Sequence, residues 1–195
     1  MRRNLVVSTG TLIAVMVLLS ACGSSSKSSA PGSNTSTSAP ASANALTCTT
    51  LAGSLNLSPP VSPTVSEAHK VTVTGKISGC TGTPGITSGD LTLEVKVADK
   101  LNCAQLIAYS KPKRANLSVT WNNGTRSTGS EILVTFQDVT KFLISGDITA
   151  GNVFVDKTAT AETVNTPDGG GCISGGASLS VATLALAPGT NLAIG

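Results

Sequence analysis

Residues 46–195 alternate apolar and polar side chains with a period of two, the pattern of half-buried β-strands. In Lys70–Ser78, Val71, Val73 and Ile77 oppose Thr72, Thr74 and Lys76. In Leu91–Val97, Leu91, Leu93, Val95 and Val97 oppose Thr92, Glu94 and Lys96. Ala115–Trp121 sets Leu117, Val119 and Trp121 on one face, and Glu131–Gln137 does the same with Ile132, Val134 and Phe136. Between these last two lies Asn122-Asn123-Gly124, where Asn-Gly favours the positive backbone angles of a tight turn, so 115–137 reads as a hairpin. Further strands are expected over 139–149 (Val139, Phe142, Leu143, Ile144, Ile148), over 152–164 (Val153, Phe154, Val155, Val164) and over Ala177–Ala187. The alternation of the last changes phase after Val181, which suggests a β-bulge. A strand or two from 46–57 precedes them all, and the one weak helix pattern is Lys100–Ser110, opened by Asp99.

Six to nine short strands separated by Gly- and Pro-rich turns indicate an all-β antiparallel fold. The expected architecture is a β-sandwich, immunoglobulin-like or jelly-roll-like, with a β-barrel as the alternative. Aromatic residues make up only 3% of the chain, so Val, Leu, Ile and Ala must fill the core.

The amino-terminal segment follows a different pattern. Met1-Arg2-Arg3 precedes an apolar run from Leu5 to Ala21 that ends in small residues, the layout of a secretory signal peptide. Ser8, Thr9, Gly10 and Thr11 interrupt the run, which suits a membrane span of about 20 apolar residues less well. Leu19-Ser20-Ala21-Cys22 resembles the lipobox of bacterial lipoproteins: an aliphatic residue, two small ones, then cysteine. That resemblance implies a diacylglycerol on the Cys22 sulfur, cleavage just before Cys22, and a protein held on the extracytoplasmic side of the cell membrane. On this reading 1–21 is the leader, 22–45 is a lipidated cysteine with its tether, and 46–195 is the folded domain.

The tether has nine serines among residues 23–45 and no Val, Ile, Leu, Met or aromatic residue. It cannot bury enough surface to offset its ordering entropy. As a flexible chain its reach is roughly 25 Å. The formal charge is +3, from 13 basic and 10 acidic residues; without Arg2 and Arg3 it is 11 against 10, or +1. A nearly neutral chain lacks the concentrated basic face of a nucleic-acid binder.

Beyond Cys22 there are four cysteines, Cys48, Cys80, Cys103 and Cys172. In an exported chain an even number reads as two disulfides, with three pairings open. The favoured one is Cys48–Cys80 with Cys103–Cys172. It ties the amino-terminal segment to the end of the Val71–Ser78 strand, and the helical stretch to the glycine loop 169–176.

The sequence offers little catalytic chemistry. His69 is the sole histidine, so it alone could serve a Ser-His-Asp or Cys-His site, and it reads as an exposed or satisfied side chain. No nucleophile elbow, phosphate loop, dinucleotide fingerprint or HExxH motif occurs. The SxxK matches at Ser24–Lys27 and Ser110–Lys113 lack the partner motifs of penicillin-recognising enzymes. Asp138, Asp147 and Asp156 recur at nine-residue intervals and could bring carboxylates together for calcium, though strand-end positions explain them as well. Gly169-Gly170-Gly171 reads as a loop rather than an anion nest. Lys111, Lys113 and Arg114 form a small basic patch, more a solvated loop than a lipid-headgroup site. Trp121 belongs to the core, which weakens a sugar platform. No cofactor, metal or nucleic-acid partner is expected.

Ile77-Ser78-Gly79-Cys80-Thr81-Gly82 and Val119-Thr120-Trp121-Asn122-Asn123-Gly124 also resemble secreted actinobacterial β-domains to which no activity is assigned. The resemblance implies the fold and carries no catalytic residue. The functional expectation is a non-enzymatic binding module of the cell envelope, meeting an envelope protein or a small ligand. The alternative is a hydrolase using a carboxylate pair such as Asp138 with Asp147. A surface spacer without a ligand-sized pocket is a third reading.

Overall fold

The computed structural model describes residues 45–138, 140–173 and 178–195. The residues expected to form the leader, the lipidated Cys22 and the tether, up to Asn44, lie outside the described residues, as do Val139 and residues 174–177.

Among the described residues ten strands run in chain order: β1 Leu46–Val61, β2 Glu67–Thr81, β3 Ser88–Leu101, β4 Lys113–Trp121, β5 Arg126–Asp138, β6 Lys141–Asp147, β7 Ala150–Gly151, β8 Thr158–Pro167, β9 Leu179–Leu186 and β10 Leu192–Ile194. One short helix, α1 (Cys103–Ile107), follows β3, and a 3-10 turn, Asp168–Ile173, follows β8. All pairings are antiparallel and the order is β1-β2-β3-β4-β5-β6-β8-β9. β9 then pairs back onto β1 through Ala52↔Ala185 to Asn56↔Val181, which closes the sheet into an eight-stranded barrel. β10 occupies the rest of the seam, between β1 and β8.

The fold is therefore all-β, but a closed barrel and not the expected sandwich. A sandwich keeps two sheets with free edges; here the curvature is continuous. Three features produce it. Gly53 and Gly75 face each other across β1 and β2, where an added Cβ on Gly53 would lie 2.4 Å from the Thr74 carbonyl oxygen. On β5, the register slips between Ala115↔Ile132 and Leu117↔Gly129, a bulge that bends the strand. Finally, β8 turns Ala159, Ala161 and Thr163 inward, small enough for a narrow barrel to shut.

The predicted alternation holds through β2–β6, and the inward set includes Val71, Val73, Leu91, Leu93, Val119, Trp121, Ile132 and Phe142. The phase change near Val181 is also present: Leu179 and Ala182 are both buried, and the β1–β9 register shifts there. The expected strand over 152–164 begins only at Thr158. Before it, Phe154 and Asp156 take positive φ of 63° and 62°, and Phe154 folds inward edge-on to Trp121 with ring centroids 5.6 Å apart. The β4–β5 turn spans Asn122–Thr125, with Gly124 at φ 80°. Asn123 stays outside the positive region and instead accepts bonds from the Thr125 N–H and hydroxyl.

Cys48 bonds Cys80, its cross-strand partner on β2, and Cys103 on α1 bonds Cys172 in the 3-10 turn. This is the favoured pairing. Separations of 32 and 69 residues correspond, on the chain-entropy account, to about 4 kcal/mol each.

Candidate functional site

The barrel has two unlike ends. Leu46, Ile194 and Gly195 share one, where Leu46 pairs with Ile194 and Gly195 bonds Thr158. The other carries the β1–β2 connection, α1 and the 3-10 turn, and is referred to as the α1 end.

The helix pattern over Lys100–Ser110 contracts to five residues, and its cap is Asn102 rather than Asp99. The Asn102 side chain accepts from the Gln105 N–H at 3.0 Å, and the Gln105 side chain accepts from the Asn102 N–H at 2.9 Å. This reciprocal capping satisfies the first turn of a helix too short to hold itself. Ser66 donates to Gln105 Oε1 at 3.0 Å, the Cys103 N–H donates to the Ser62 carbonyl, and the Cys103–Cys172 bond fastens the far side.

Asp99 remains on β3, where the Tyr109 hydroxyl (2.5 Å) and Lys113 Nζ (2.6 Å) both donate to its Oδ2. The Lys113 bond first, then the Tyr109 bond, holds the Asp99 carboxyl down at about 2, against an ordinary 3.8. Burial, helped by the bond to Asp99, raises Tyr109; the bond to Asp99 raises Lys113. Asp99 is depressed on folding, so its contribution to stability is complete above about pH 4 and is lost as pH falls toward 2. Denaturant titrations from pH 6 to 2 should show wild type losing more stability than Asp99→Asn over the lower part of that range. Equal losses would refute the assignment.

Lys113 is therefore spent on Asp99, and Arg114 pairs with Glu131 on the outer wall. The basic patch of Lys111, Lys113 and Arg114 is thus largely neutralised in place. Asp138 caps the β5–β6 turn by accepting the Thr140 N–H and hydroxyl at 2.6 and 2.7 Å, and the Thr140 hydroxyl keeps its carboxyl below the ordinary range. Asp147 accepts from Thr158 at 2.6 Å. The two bound opposite ends of β6, roughly 20 Å apart at about 3.3 Å per residue. Paired glycosidic carboxylates lie about 5–9.5 Å apart. The structure does not bring Asp138 and Asp147 together, because the meander that spaces them regularly also runs them along the barrel. Asp156 sits beside Asp147's end, its N–H bonded to the Ile148 carbonyl. Among the described residues no three His, Cys, Asp or Glu side chains gather as a metal site. Gly169 takes a positive φ of 66° within the 3-10 turn.

The interior is filled. Beneath α1 a cavity of about 30 Å³ is lined by Leu57, Val61, His69, Leu106, Tyr109 and neighbours, and a second of about 20 Å³ lies toward Ile194. Small-molecule sites occupy roughly 300–1,000 Å³. His69 is buried, not exposed, with both ring nitrogens engaged. Outside α1, an open groove of about 440 Å³ runs past Asp99, Gln105, Tyr109 and Lys111.

Large apolar side chains also reach the surface. Val65, Ile107 and Ile173, at 57%, 47% and 49% exposure, belong to the three segments of the α1 end. Leu133 and Leu143 lie on the wall, and Val155 at the opposite end. No alternation marks Val65, Ile107 or Ile173, since each stands in a turn or a single helical turn. Only the Cys103 and Cys172 positions, expected to pair, hint that α1 and the 3-10 turn lie side by side. Comparison with protein-family models, with curated proteins and with solved structures finds no match.

Proposed function

We propose that the chain is a cell-envelope lipoprotein, anchored through acylated Cys22 on the extracytoplasmic side, whose barrel is a non-enzymatic module for binding another envelope protein. The observation that carries this is the polarity of the barrel. The described chain enters the barrel at Leu46, while Val65, Ile107 and Ile173 all stand at the opposite end. Apolar side chains held in solvent on a rigid rim suit a protein surface.

Two further features support it. The two interior cavities, of about 30 and 20 Å³, are far smaller than a ligand chamber, which favours recognition on the exterior, where the open groove of about 440 Å³ runs beside α1. The rim also mixes Lys100, Lys111 and Lys113 with Glu67, Asp99 and Asp168, a balance that gives no single-signed field for anionic lipid or nucleic acid. The Cys103–Cys172 bond fixes α1 against the 3-10 turn, which reduces the ordering cost of binding.

A photo-crosslinking residue placed in turn at Ile107, Ile173 and Val155 in living cells tests this. Discrete protein adducts from Ile107 and Ile173 and none from Val155 are expected. Adducts equal at all three positions, or adducts to phospholipid alone, would overturn the assignment.

A further inference from the structure

The α1 end holds one group that the binding role does not use. His69, the sole histidine of the chain, is 4% exposed on β2. Its Nδ1 lies 2.9 Å from the Pro59 carbonyl oxygen on β1, and its Nε2 lies 2.9 Å from the Leu101 carbonyl oxygen at the end of β3. A carbonyl oxygen only accepts, and neutral imidazole has a single N–H, its other nitrogen being an acceptor. In either neutral tautomer one of these contacts sets lone pair against lone pair at hydrogen-bond distance. A half-turn of the ring would replace both nitrogens by carbon and abandon both bonds. The imidazolium donates at both positions.

We propose that His69 is the imidazolium in the closed barrel, a pH-sensitive clasp that ties β1 to the root of α1. Both ends of the clasp are places where the ladder is irregular. Pro59 falls in the Asn56–Val61 stretch where β1 slips register against β9, and the β2–β3 register shifts between Glu67 and His69, next to Leu101. Leu101 stands directly before Asn102, the cap of α1. Burial opposes a charge at His69, and two charge-assisted bonds offset it.

The surroundings contain few charges that could act instead. β1, α1 and β9 contain no ionisable side chain apart from the disulfide-bonded Cys48 and Cys103. β8 presents Asn165 to the cavity and β5 presents Phe136. On β2 the carboxyl nearest in sequence is Glu67, two positions along the same face; on β3 it is Asp99, held by Tyr109 and Lys113. Tyr109 is the other titratable side chain lining the cavity. Asp99 stays ionised above about pH 4, so it does not respond over the pH range of the test below.

The sign follows from the bonds. The clasp is complete in acid; as pH rises and the second proton leaves, one of the two bonds is lost and the root of α1 loosens. The amides of Cys103, Leu106 and Tyr109, bonded to the carbonyls of Ser62, Asn102 and Leu106, report on it.

The test uses the full chain with ¹⁵N-labelled histidine, whose single imidazole gives two ring signals. At pH 5.5 both nitrogens should carry slowly exchanging protons. At pH 8 one should be bare, and exchange of the three amides, corrected for its intrinsic pH dependence, should be about tenfold faster. A neutral tautomer at pH 5.5, or corrected exchange unchanged between the two pH values, overturns the proposal. In His69→Gln the pH dependence of corrected exchange should vanish, and its persistence would overturn the clasp. If that variant fails to fold, the two nitrogen signals of the native chain decide alone.

Discussion

Replacing Cys22 with alanine is expected to move the protein almost completely from the detergent-rich phase of a Triton X-114 partition to the aqueous phase. The expectation rests on the leader, the Leu19-Ser20-Ala21-Cys22 box and the serine-rich tether that follows it. Each buried methylene contributes about 0.8 kcal/mol of membrane affinity, so one acyl chain holds marginally and two or three hold firmly. The barrel offers no substitute. Its outward positions include Lys70, Lys76, Lys96, Asn116 and Thr120, all exposed, which is the wrong surface for a lipid-facing band. Among the described residues no helix is long and apolar enough to cross a membrane. Native protein should carry acyl mass on an amino-terminal Cys22, and the alanine variant none. A variant that still partitions into detergent would overturn the anchor.

The legible and illegible parts of this fold divide on a physical line. Period-two alternation is a local property, and it located β2 to β6 because each strand buries one face against the same core. Closure is not local. Whether a sheet ends in two edges or returns to its first strand depends on accumulated twist, and hence on Gly53 opposite Gly75 and the bulge opposite Ala115. Each of these reads in the sequence as an ordinary weak spot in a strand. The same limit hid the candidate site. Asp99 looked like a helix cap because it precedes a helical pattern; its real partners, Tyr109 and Lys113, are 10 and 14 residues away. His69 looked unremarkable because its acceptors are backbone carbonyls, to which sequence patterns are blind. Phe154 was expected to extend a strand, but its ring is needed against Trp121, and the backbone adopts a positive φ to deliver it. The Cys48–Cys80 pairing was legible because it needed only the consecutive strands β1 and β2; Cys103–Cys172 joins segments that follow β3 and β8, which are not sheet neighbours, and was left as the remaining pair.

That aromatic pair governs the other large expected effect. Trp121→Ala should reduce the unfolding free energy by about 4 kcal/mol, the usual range for emptying a large aromatic from a core being roughly 3–5 kcal/mol. Trp121 is 2% exposed at the end of β4 opposite α1. Its Nε1–H donates to Ser127 Oγ at 2.9 Å, and Ser127 in turn donates to the Val153 carbonyl at 3.0 Å. Gly89 on β3 makes room for the ring: a Cβ there would lie 2.8 Å from Trp121 Cε3. Truncation therefore leaves a void between β3 and β4 that Gly89 has no side chain to fill. It also removes the edge contact that offsets the left-handed backbone of Phe154, a conformation costing on the order of 1–3 kcal/mol. The 148–157 connection should loosen with it, raising amide exchange at Asp156 and Lys157, whose N–H groups bond the Ile148 and Phe154 carbonyls. Trp121→Phe keeps an aromatic ring beside Phe154 and should lose about half as much. Urea unfolding followed by circular dichroism measures both, since the alanine variant has no tryptophan left to fluoresce. Since small domains are stable by about 5–15 kcal/mol, the alanine variant should still fold but with a clearly lower midpoint. A loss under about 1 kcal/mol would mean that the indole is not a keystone of that end, and that the void closes by collapse of β3 onto β4.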